Sequence, residues 1–269
     1  MNPAPKKATR YAQIIERVFF DNYWEDEEEV SFDRDEFAAV ATDLGIDLPK
    51  NLGDVIYSFR YRVALPQAIL DTATDGNEWI IEGAGRGRYR FRCVPLANIQ
   101  PTGRFAETKV PDATPGLIEM YALSDEQALL AKLRYNRLID VFLGLTCYSL
   151  QNHLRTTVPN LGQVETDEVY IGLDTRGAHY IIPVQAKGGS DKLSTVQIAQ
   201  DFALAEHLFP NLIPLPVAAQ FMSDDLIALF SFEQQDGHPA ILNEKHYRLA
   251  QGGDVTADDL QAYRARPFG

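Results

Sequence analysis

Two apolar segments of the chain carry polar residues that a buried strand would not ordinarily hold. Residues 165–172 include Glu165 and Asp167, and residues 180–187 end with Gln185 and Lys187. Carboxylate and amide oxygens suit a hard divalent cation, and an ammonium group stabilises charge that develops on a phosphate. If the two segments meet, they predict a site for metal-assisted hydrolysis of a phosphodiester.

The five residues 174–178 between these segments predict a tight turn. Asp174 favours the first position of a turn, and Gly177 supplies a permissive backbone. With the turn centred near Arg176, residues whose numbers sum to about 352 face each other, and side chains alternate between the two faces. We therefore expect four polar side chains on one face of a hairpin. The facing pairs are Asp167 with Gln185, and Glu165 with Lys187.

Each polar residue of the predicted hairpin has an expected role. Asp167 is the main ligand of Mg²⁺ or Mn²⁺, and the Gln185 side-chain oxygen and the Ala186 carbonyl are neutral ligands. Lys187 holds the attacking water or the phosphate oxygens. Glu165 supplies a second negative charge. The simpler alternative is a solvated cross-strand ion pair between Glu165 and Lys187, but so apolar a strand is not typical of a surface edge.

The pattern of Asp167 followed by Gln185-Ala-Lys187 on a hairpin resembles the PD-(D/E)XK nuclease superfamily, which includes many restriction endonucleases. The Gln-x-Lys variant is similar to the Mrr-type branch. The resemblance covers roughly residues 124–235 and implies a restriction-endonuclease-like core, with a mixed central β-sheet flanked by helices. The chain departs from the family pattern at Thr166, where the family has Pro, and at Gln185, where it has an acid.

A helical region is predicted from a capping box at residues 124–127 through about Thr157, with a possible break midway. Helical spacing puts Asp140 and Gln151 on one face of it. The family places a helix beside the site, often with a Glu, so these two residues are candidate accessory groups. His153 is a candidate general base, although a single His is more often structural.

After Lys187 the pattern predicts a helix from Thr195 to about Leu208, then strands at 212–221 and 225–232. Gln197 lies near the N-terminal end of this helix, an end that favours anions, and faces either the phosphate or solvent. Helix, hairpin, helix and two strands indicate an α/β core with a mixed sheet. The segment 244–251 is predicted as a final strand or short helix with no chemistry.

The first part of the chain resembles a winged-helix module. Helices are predicted at 9–23, 31–45 and 51–62, followed by a hairpin over residues 79–94. In such a module the third helix enters the major groove and the wing contacts backbone. The candidate DNA-binding residues lie at the end of the third helix and at the wing tip: Arg60, Arg62, Arg86 and Arg88.

Two domains are predicted, residues 1–105 for DNA recognition and residues 106–269 for the nuclease, with an irregular linker at 96–123. Winged helices also bind proteins, so a protein contact is the alternative for the first domain. The glycine-rich segment 83–87 lacks the Gly-Lys-Ser/Thr ending of a phosphate loop and precedes a strand. We therefore do not predict a nucleotide site there.

Composition is ordinary for a globular protein, with 45% hydrophobic and 23% charged residues. The formal net charge of −13 includes the acidic run 25–29, whereas arginines cluster elsewhere. Cys93 and Cys147 form no metal or disulfide pattern, which favours a reducing cytoplasm. The sequence has no membrane-length apolar run and no signal peptide at its start.

These patterns together predict a Mg²⁺-dependent DNA endonuclease, most simply a type II restriction endonuclease that acts on double-stranded DNA. Symmetric cutting of both strands requires two sites, so we expect a homodimer. An Mrr-like modification-dependent nuclease or a DNA-repair nuclease is the alternative among enzymes. A catalytically silent DNA-binding regulator is the alternative from another class.

Overall fold

The computed structural model describes residues 10–49, 52–61, 63–95, 98–103, 105–121, 125–188, 193–223, 225–235 and 237–266. Two compact units divide the chain. The first contains Met1–Asn98, Thr157–Gln163 and Ser194–Val196, and the second contains Ile99–Thr156, Val164–Leu193 and Gln197–Gly269. The division after residue 98 lies earlier than the predicted one after 105. Residue Thr102 explains the difference, because its N–H and hydroxyl donate to Glu244 in the second unit.

The first unit combines four helices with a three-stranded antiparallel sheet. The sheet order is β1-β3-β2. The elements are α1 (Arg10–Asn22), β1 (Glu29–Asp33), α2 (Arg34–Asp43), α3 (Leu52–Tyr61), α4 (Gln67–Leu70), β2 (Glu78–Gly83) and β3 (Arg88–Val94).

The predicted first helix, third helix and hairpin of this unit are confirmed within two residues. The predicted start of the second helix at Ser31 is wrong. Residues 29–33 form β1, because Val30 and Phe32 alternate into the core. The helix begins after Asp33, which forms a capping box with Glu36.

The core of the first unit is aromatic. The ring of Phe19 on α1 lies 5.1 Å from that of Trp79 and 5.0 Å from that of Phe91, both edge-to-face. Such pairs favour the packing of a helix on a sheet beyond the area they bury. The amphipathic face of α1 is thereby fixed on the hairpin.

The second unit is mixed α/β, with a large mixed sheet flanked by helices. Its main sheet order is β5-β13-β12-β11-β8-β7-β6, and β10 pairs with β8. The remaining elements are β4 (Asn98–Ile99), β5 (Glu107–Pro111), α5 (Gly116–Tyr121), α6 (Asp125–Tyr135), α7 (Leu138–Leu143), β6 (Thr146–Val158), β7 (Gly162–Leu173), β8 (His179–Lys187), β9 (Leu193–Ser194), α8 (Thr195–Leu208), β10 (Ile213–Pro214), β11 (Val217–Phe221), β12 (Leu226–Gln235), β13 (His238–Ala250), a 3₁₀ turn (Gly252–Asp254) and α9 (Ala257–Arg264).

Helices cover both faces of this sheet at β8. Ile182 and Val184 pack in a cluster with Leu129 of α6, whereas Ile181 packs with Ala205 of α8. A strand buried on both faces is apolar at successive positions, which explains the continuous hydrophobic run of β8. The pairs β10–β8, β11–β8 and β13–β5 are parallel, whereas β7–β8, β11–β12 and β12–β13 are antiparallel, so the sheet is mixed.

Three predictions for the second unit are corrected. The helical region predicted through Thr157 ends at Gly144, whose φ of 66° is left-handed. Residues 146–158 form strand β6, so the helical face shared by Asp140 and Gln151 does not exist. The predicted linker contains β5, which pairs in parallel with β13. The helix predicted at Thr195–Leu208 is confirmed. Among the described residues, no helix is long and apolar enough to cross a membrane.

Candidate active site

The β7–β8 hairpin has the predicted register. Asp174 Oδ1 accepts the backbone N–H groups of Arg176 and Ala178, each at 2.9 Å. These bonds and the Arg176 guanidinium lower the pKa of Asp174 to about 2. Gly177 has a φ of 85°, as the turn requires. The paired residues run from Leu173 opposite His179 to Glu168 opposite Val184, in agreement with the predicted turn centre.

Beyond Glu168 the two strands are joined through side chains. Asp167 Oδ2 accepts the Ala186 N–H at 2.7 Å, and Gln185 Nε2 donates to the Glu165 carbonyl at 3.3 Å. A carboxylate thus occupies a position where a regular ladder would have a backbone carbonyl. The predicted role of Ala186 was as a carbonyl ligand, but the contact seen here is made by its N–H.

Asp167 is half-buried among charged groups. Burial raises its pKa, and the negative charge of Glu126 raises it further. The Ala186 N–H, Lys187 and His153 oppose these effects. The carboxylate therefore occupies a place where added positive charge is stabilising.

Lys187 contacts Glu126 in place of the predicted Glu165. Its Nζ lies 3.4 Å from Oε1 of Glu126, a residue in the first turn of α6. In the sequence this acid has an ordinary explanation, since acids are frequent in the first turn of a helix. Ser124, the predicted cap before it, lies outside the described residues. Packing of α6 thus brings an acid of its first turn next to Lys187.

Gln185 is buried, with 1% of its surface exposed. Its Nε2 donates to both carboxylate oxygens of Asp201 on α8, each at 3.1 Å, and its Oε1 accepts from Gln197 at 3.4 Å. The amide oxygen is thus directed to α8, which differs from the predicted role as a metal ligand. The accessory residue Gln197 is brought to the site, through Gln185.

Asp201 is a buried carboxylate that the sequence did not single out. Burial raises its pKa well above the ordinary value, and the nearby charge of Asp167 raises it further. Hydrogen bonds from Gln185 and Thr166, together with Lys187, oppose the shift. The sequence feature that could have identified Asp201 is helical spacing, since position 201 is one turn after Gln197 on the buried side of α8.

Three other predicted site residues lie apart from this cluster. Glu165 Oε2 pairs with Arg155 Nη2 at 2.6 Å, and both side chains are exposed. Asp140 accepts the Cys147 N–H at 2.9 Å and pairs with Arg137, so it fixes the turn between α7 and β6. Gln151 is exposed on β6. The accessory roles predicted for Asp140 and Gln151 rested on a helix that the chain does not form.

His153 lies on the exposed strand β6 with a left-handed φ of 47°. Its charge lowers the pKa of Asp167, which places the imidazole within electrostatic reach of the carboxylate. A left-handed His is uncommon and costs backbone energy. His153 therefore belongs to the surroundings of the site.

A second buried carboxylate secures β7 from its other face. Glu168 Oε1 accepts from Arg134 Nε at 3.1 Å and Nη2 at 2.9 Å, and from Ser149 Oγ at 2.5 Å. These bonds tie α6 and β6 to the strand position next to Asp167. The pKa of Tyr170 is raised by burial and by the Glu168 charge.

The predicted DNA-binding arginines of the first unit differ in their surroundings. Arg60 Nε donates to the Ile81 carbonyl at 3.3 Å, so part of this guanidinium holds α3 to the hairpin. Arg62 lies outside the described residues. Arg86, in the turn between β2 and β3, and Arg88, the first residue of β3, are both exposed.

The remaining arginines of β3 are engaged with acids. Arg90 pairs with Glu82 at 3.0 Å and Glu29 at 3.2 Å, and Arg92 lies 3.7 Å from Glu82. Much of the basic character of the hairpin is therefore neutralised within the unit. Positive charge that a polyanion can reach is concentrated at the turn.

Among the described residues, no group of three or more His, Cys, Asp and Glu side chains is arranged to hold a metal ion. Glu126 nevertheless offers a hard oxygen donor 3.4 Å from Lys187 Nζ, and the Asp167 carboxylate lies within electrostatic reach of both groups. Mg²⁺ keeps several waters and is usually bound through one or two carboxylates with substrate phosphate. The donor set therefore fits Mg²⁺ better than a softer ion.

Comparison of the chain with protein-family models, with curated proteins and with solved structures gives no match. The function proposed below therefore rests on the geometry of the site.

Proposed function

We propose that the chain is a Mg²⁺-dependent DNA endonuclease of the restriction type, with Mn²⁺ as a possible substitute ion. The observation that carries this proposal is the meeting of Asp167, Glu126 and Lys187 where the β7–β8 ladder ends. Two carboxylates and an ammonium group brought close together suit the hydrolysis of a phosphodiester.

Asp167 and Glu126 would hold the metal ion. Burial and mutual repulsion raise the pKa of Asp167, so its ionised form gains from a nearby divalent cation. When bound, the ion polarises the phosphate and lowers the pKa of a bound water. The Ala186 N–H fixes Asp167 Oδ2 and leaves Oδ1 for this role.

Lys187 would stabilise the negative charge that develops on the phosphate oxygens. Its stem is largely covered, while its Nζ reaches Glu126 at the site. An ammonium group held in place costs little reorganisation when charge develops. Glu126 keeps Lys187 in this position before substrate binds.

Gln185 and Asp201 would act as positioning residues. Gln185 links the end of β8 to Asp201 on α8, and its Nε2 also donates to the Glu165 carbonyl near Asp167. The charges of Asp167 and Lys187 shift the pKa of Asp201, so the three groups lie within electrostatic reach of one another. Asp201 would therefore act through Gln185 and not as a metal ligand.

The first unit would bind double-stranded DNA as a winged-helix-like domain. Four helices, the last a single turn, precede a hairpin that carries Arg86 in its turn and Arg88 at the start of β3, and β1 completes a small sheet. A wing of this kind contacts DNA backbone. Cutting of both strands would then require two copies of the second unit.

Plasmid nicking with Mg²⁺ tests the proposal directly. Methylated and unmethylated supercoiled DNA are incubated with the wild type, Asp167→Asn, Lys187→Met and the matched control Glu165→Gln. We expect Asp167→Asn and Lys187→Met to lower the cleavage rate by about 100-fold or more. Glu165→Gln should cut like the wild type, because its side chain pairs with Arg155 away from the site.

Two outcomes would contradict this assignment in different ways. If the wild type binds but never nicks either DNA, the chain is better described as a DNA-binding regulator. If it cuts and neither Asp167→Asn nor Lys187→Met changes the rate, the reaction occurs at another site. Cutting of methylated DNA alone would favour the modification-dependent alternative.

A further inference from the structure

Strand β6 ends the main sheet and leaves one edge open. No other strand among the described residues pairs with that edge. Residues 146–152 are almost all exposed, with Tyr148 at 63% and Leu150 at 52%. An open edge presents a row of backbone N–H and C=O groups that can pair with another strand.

The open segment lacks the features that normally prevent such pairing. Residues 146–152 contain no charged residue, no Pro and no Gly. The outer part of β13, near the other end of the sheet, differs. It carries Pro239 and Lys245, and its pairing with β12 is interrupted by a bulge. The open sheet edges of monomeric proteins are usually protected in these ways.

We propose that this edge is the interface with a second copy of the chain, formed by antiparallel pairing of β6 with its counterpart. Each chain carries a formal net charge of −13, so two copies repel each other over most of their surfaces. The uncharged segment 146–152 lets their backbones approach without opposing charges. The pairing is isologous, as a two-fold dimer requires.

A two-fold axis at Ser149 gives the best register. It places Tyr148 of one copy opposite Leu150 of the other, and the reverse, so that the two exposed apolar side chains of this segment cover each other. An axis at Leu150 would instead place Tyr148 opposite Asn152. The Ser149 register is therefore the one we assign.

The inference goes beyond the proposed nuclease activity and does not rest on it, since its test measures mass and cross-linking. The other occupant to consider is DNA. A neutral, partly apolar edge does not suit a polyanion, whose binding is dominated by contacts of Lys and Arg with phosphate. DNA binding at this edge is one outcome of the test.

Disulfide trapping tests the register. The two Ser149 Cα atoms would lie about 5 Å apart, a distance that a disulfide spans. We expect Ser149→Cys to form a dimer on mild oxidation. The control Asn152→Cys should not, since its copies would be about 20 Å apart at about 3.3 Å per residue. The native thiols Cys93 and Cys147 are buried and should not interfere.

Sedimentation equilibrium tests the interface without cross-linking. The wild type should show twice the 30.1 kDa chain mass. Leu150→Lys should weaken dimerisation about tenfold or more, because it removes the apolar cover of the other copy's Tyr148 and brings two ammonium groups to diagonal positions about 7–8 Å apart. Leu242→Lys on β13 replaces a residue of similar exposure, 54% against 52%, and should leave the dimer unchanged.

A wild type that remains monomeric at micromolar concentrations overturns the proposal. The proposal is also overturned if Leu150→Lys leaves the dimer intact or if Leu242→Lys disrupts it, because the interface then lies elsewhere. If the wild type is monomeric and Leu150→Lys changes only DNA binding, the edge serves DNA and not a second copy.

Discussion

Replacement of Asp201 by Asn should make the protein more stable at high pH. The carboxylate is 1% exposed, and burial raises its pKa well above the ordinary value. Asn keeps one carbonyl oxygen that can accept from Gln185 Nε2, and its amide nitrogen takes the place of the second oxygen. The substitution therefore removes a buried charge and retains one of the two hydrogen bonds from Gln185.

The direction in which pH changes the stability follows from proton binding. An acid whose folded pKa is raised binds more protons in the folded state than in the unfolded state, between the unfolded and the folded pKa. The contribution of Asp201 to wild-type stability should therefore fall as pH rises from the unfolded value of about 3.9 through the raised folded pKa. One such group contributes a slope of at most about 1.4 kcal/mol per pH unit. Asp201→Asn removes this loss.

Urea unfolding at about pH 5, 7 and 9 measures the effect. The stability of Asp201→Asn relative to wild type should rise with pH and level off above the folded pKa. Asp43→Asn on the exposed surface of α2 controls for the loss of one negative charge. If the difference in unfolding free energy between Asp201→Asn and the wild type is constant over this range, or shrinks as pH rises, the reasoning is refuted.

Two further predictions concern the site and its surroundings, and a third concerns the first unit. Arg134→Met should destabilise by about 2–3 kcal/mol in urea unfolding, below the range for a fully buried pair because Arg134 is 40% exposed. Glu168→Gln should cost less, about 1–2 kcal/mol, since no buried charge remains; the reverse order would contradict the account. Glu126→Gln should raise the Mg²⁺ concentration for half-maximal cutting about tenfold, measured by metal titration, and an unchanged titration would remove Glu126 from the site. Arg88→Ala should lower the slope of DNA affinity against salt by about 1 in anisotropy titrations, and an unchanged slope would exclude the wing contact.

Local patterns determined much of the site. Asp174 and Gly177 specify a turn whose hydrogen bonds are made within five residues, and the turn fixes which residues of β7 and β8 face each other. The approach of Asp167 to the end of β8 followed from this register. The helix at Thr195–Leu208 was equally clear, since its sequence is rich in helix-favouring Ala, Leu and Gln and contains no Gly or Pro.

The strand β6 shows where a local pattern failed. Residues 146–158 have polar groups at helical spacing, yet Gly144 ends the preceding helix and the segment pairs with β7. Strand pairing depends on a partner more than on the preference of the segment itself. Without knowledge of that partner, the sequence favoured a longer helix, and Asp140 and Gln151 were placed with the site.

The sequence by itself determined the hairpin, its register and the residue types at its open end. Only the tertiary structure decided which charges surround that end. Glu126 and Asp201 reach it from helices at separations of 61 and 16 residues from their partners Lys187 and Gln185, whereas the nearer Glu165 turns to Arg155. Turn chemistry acts between neighbours in the chain, but the charge balance of a buried site depends on every group that packing brings near.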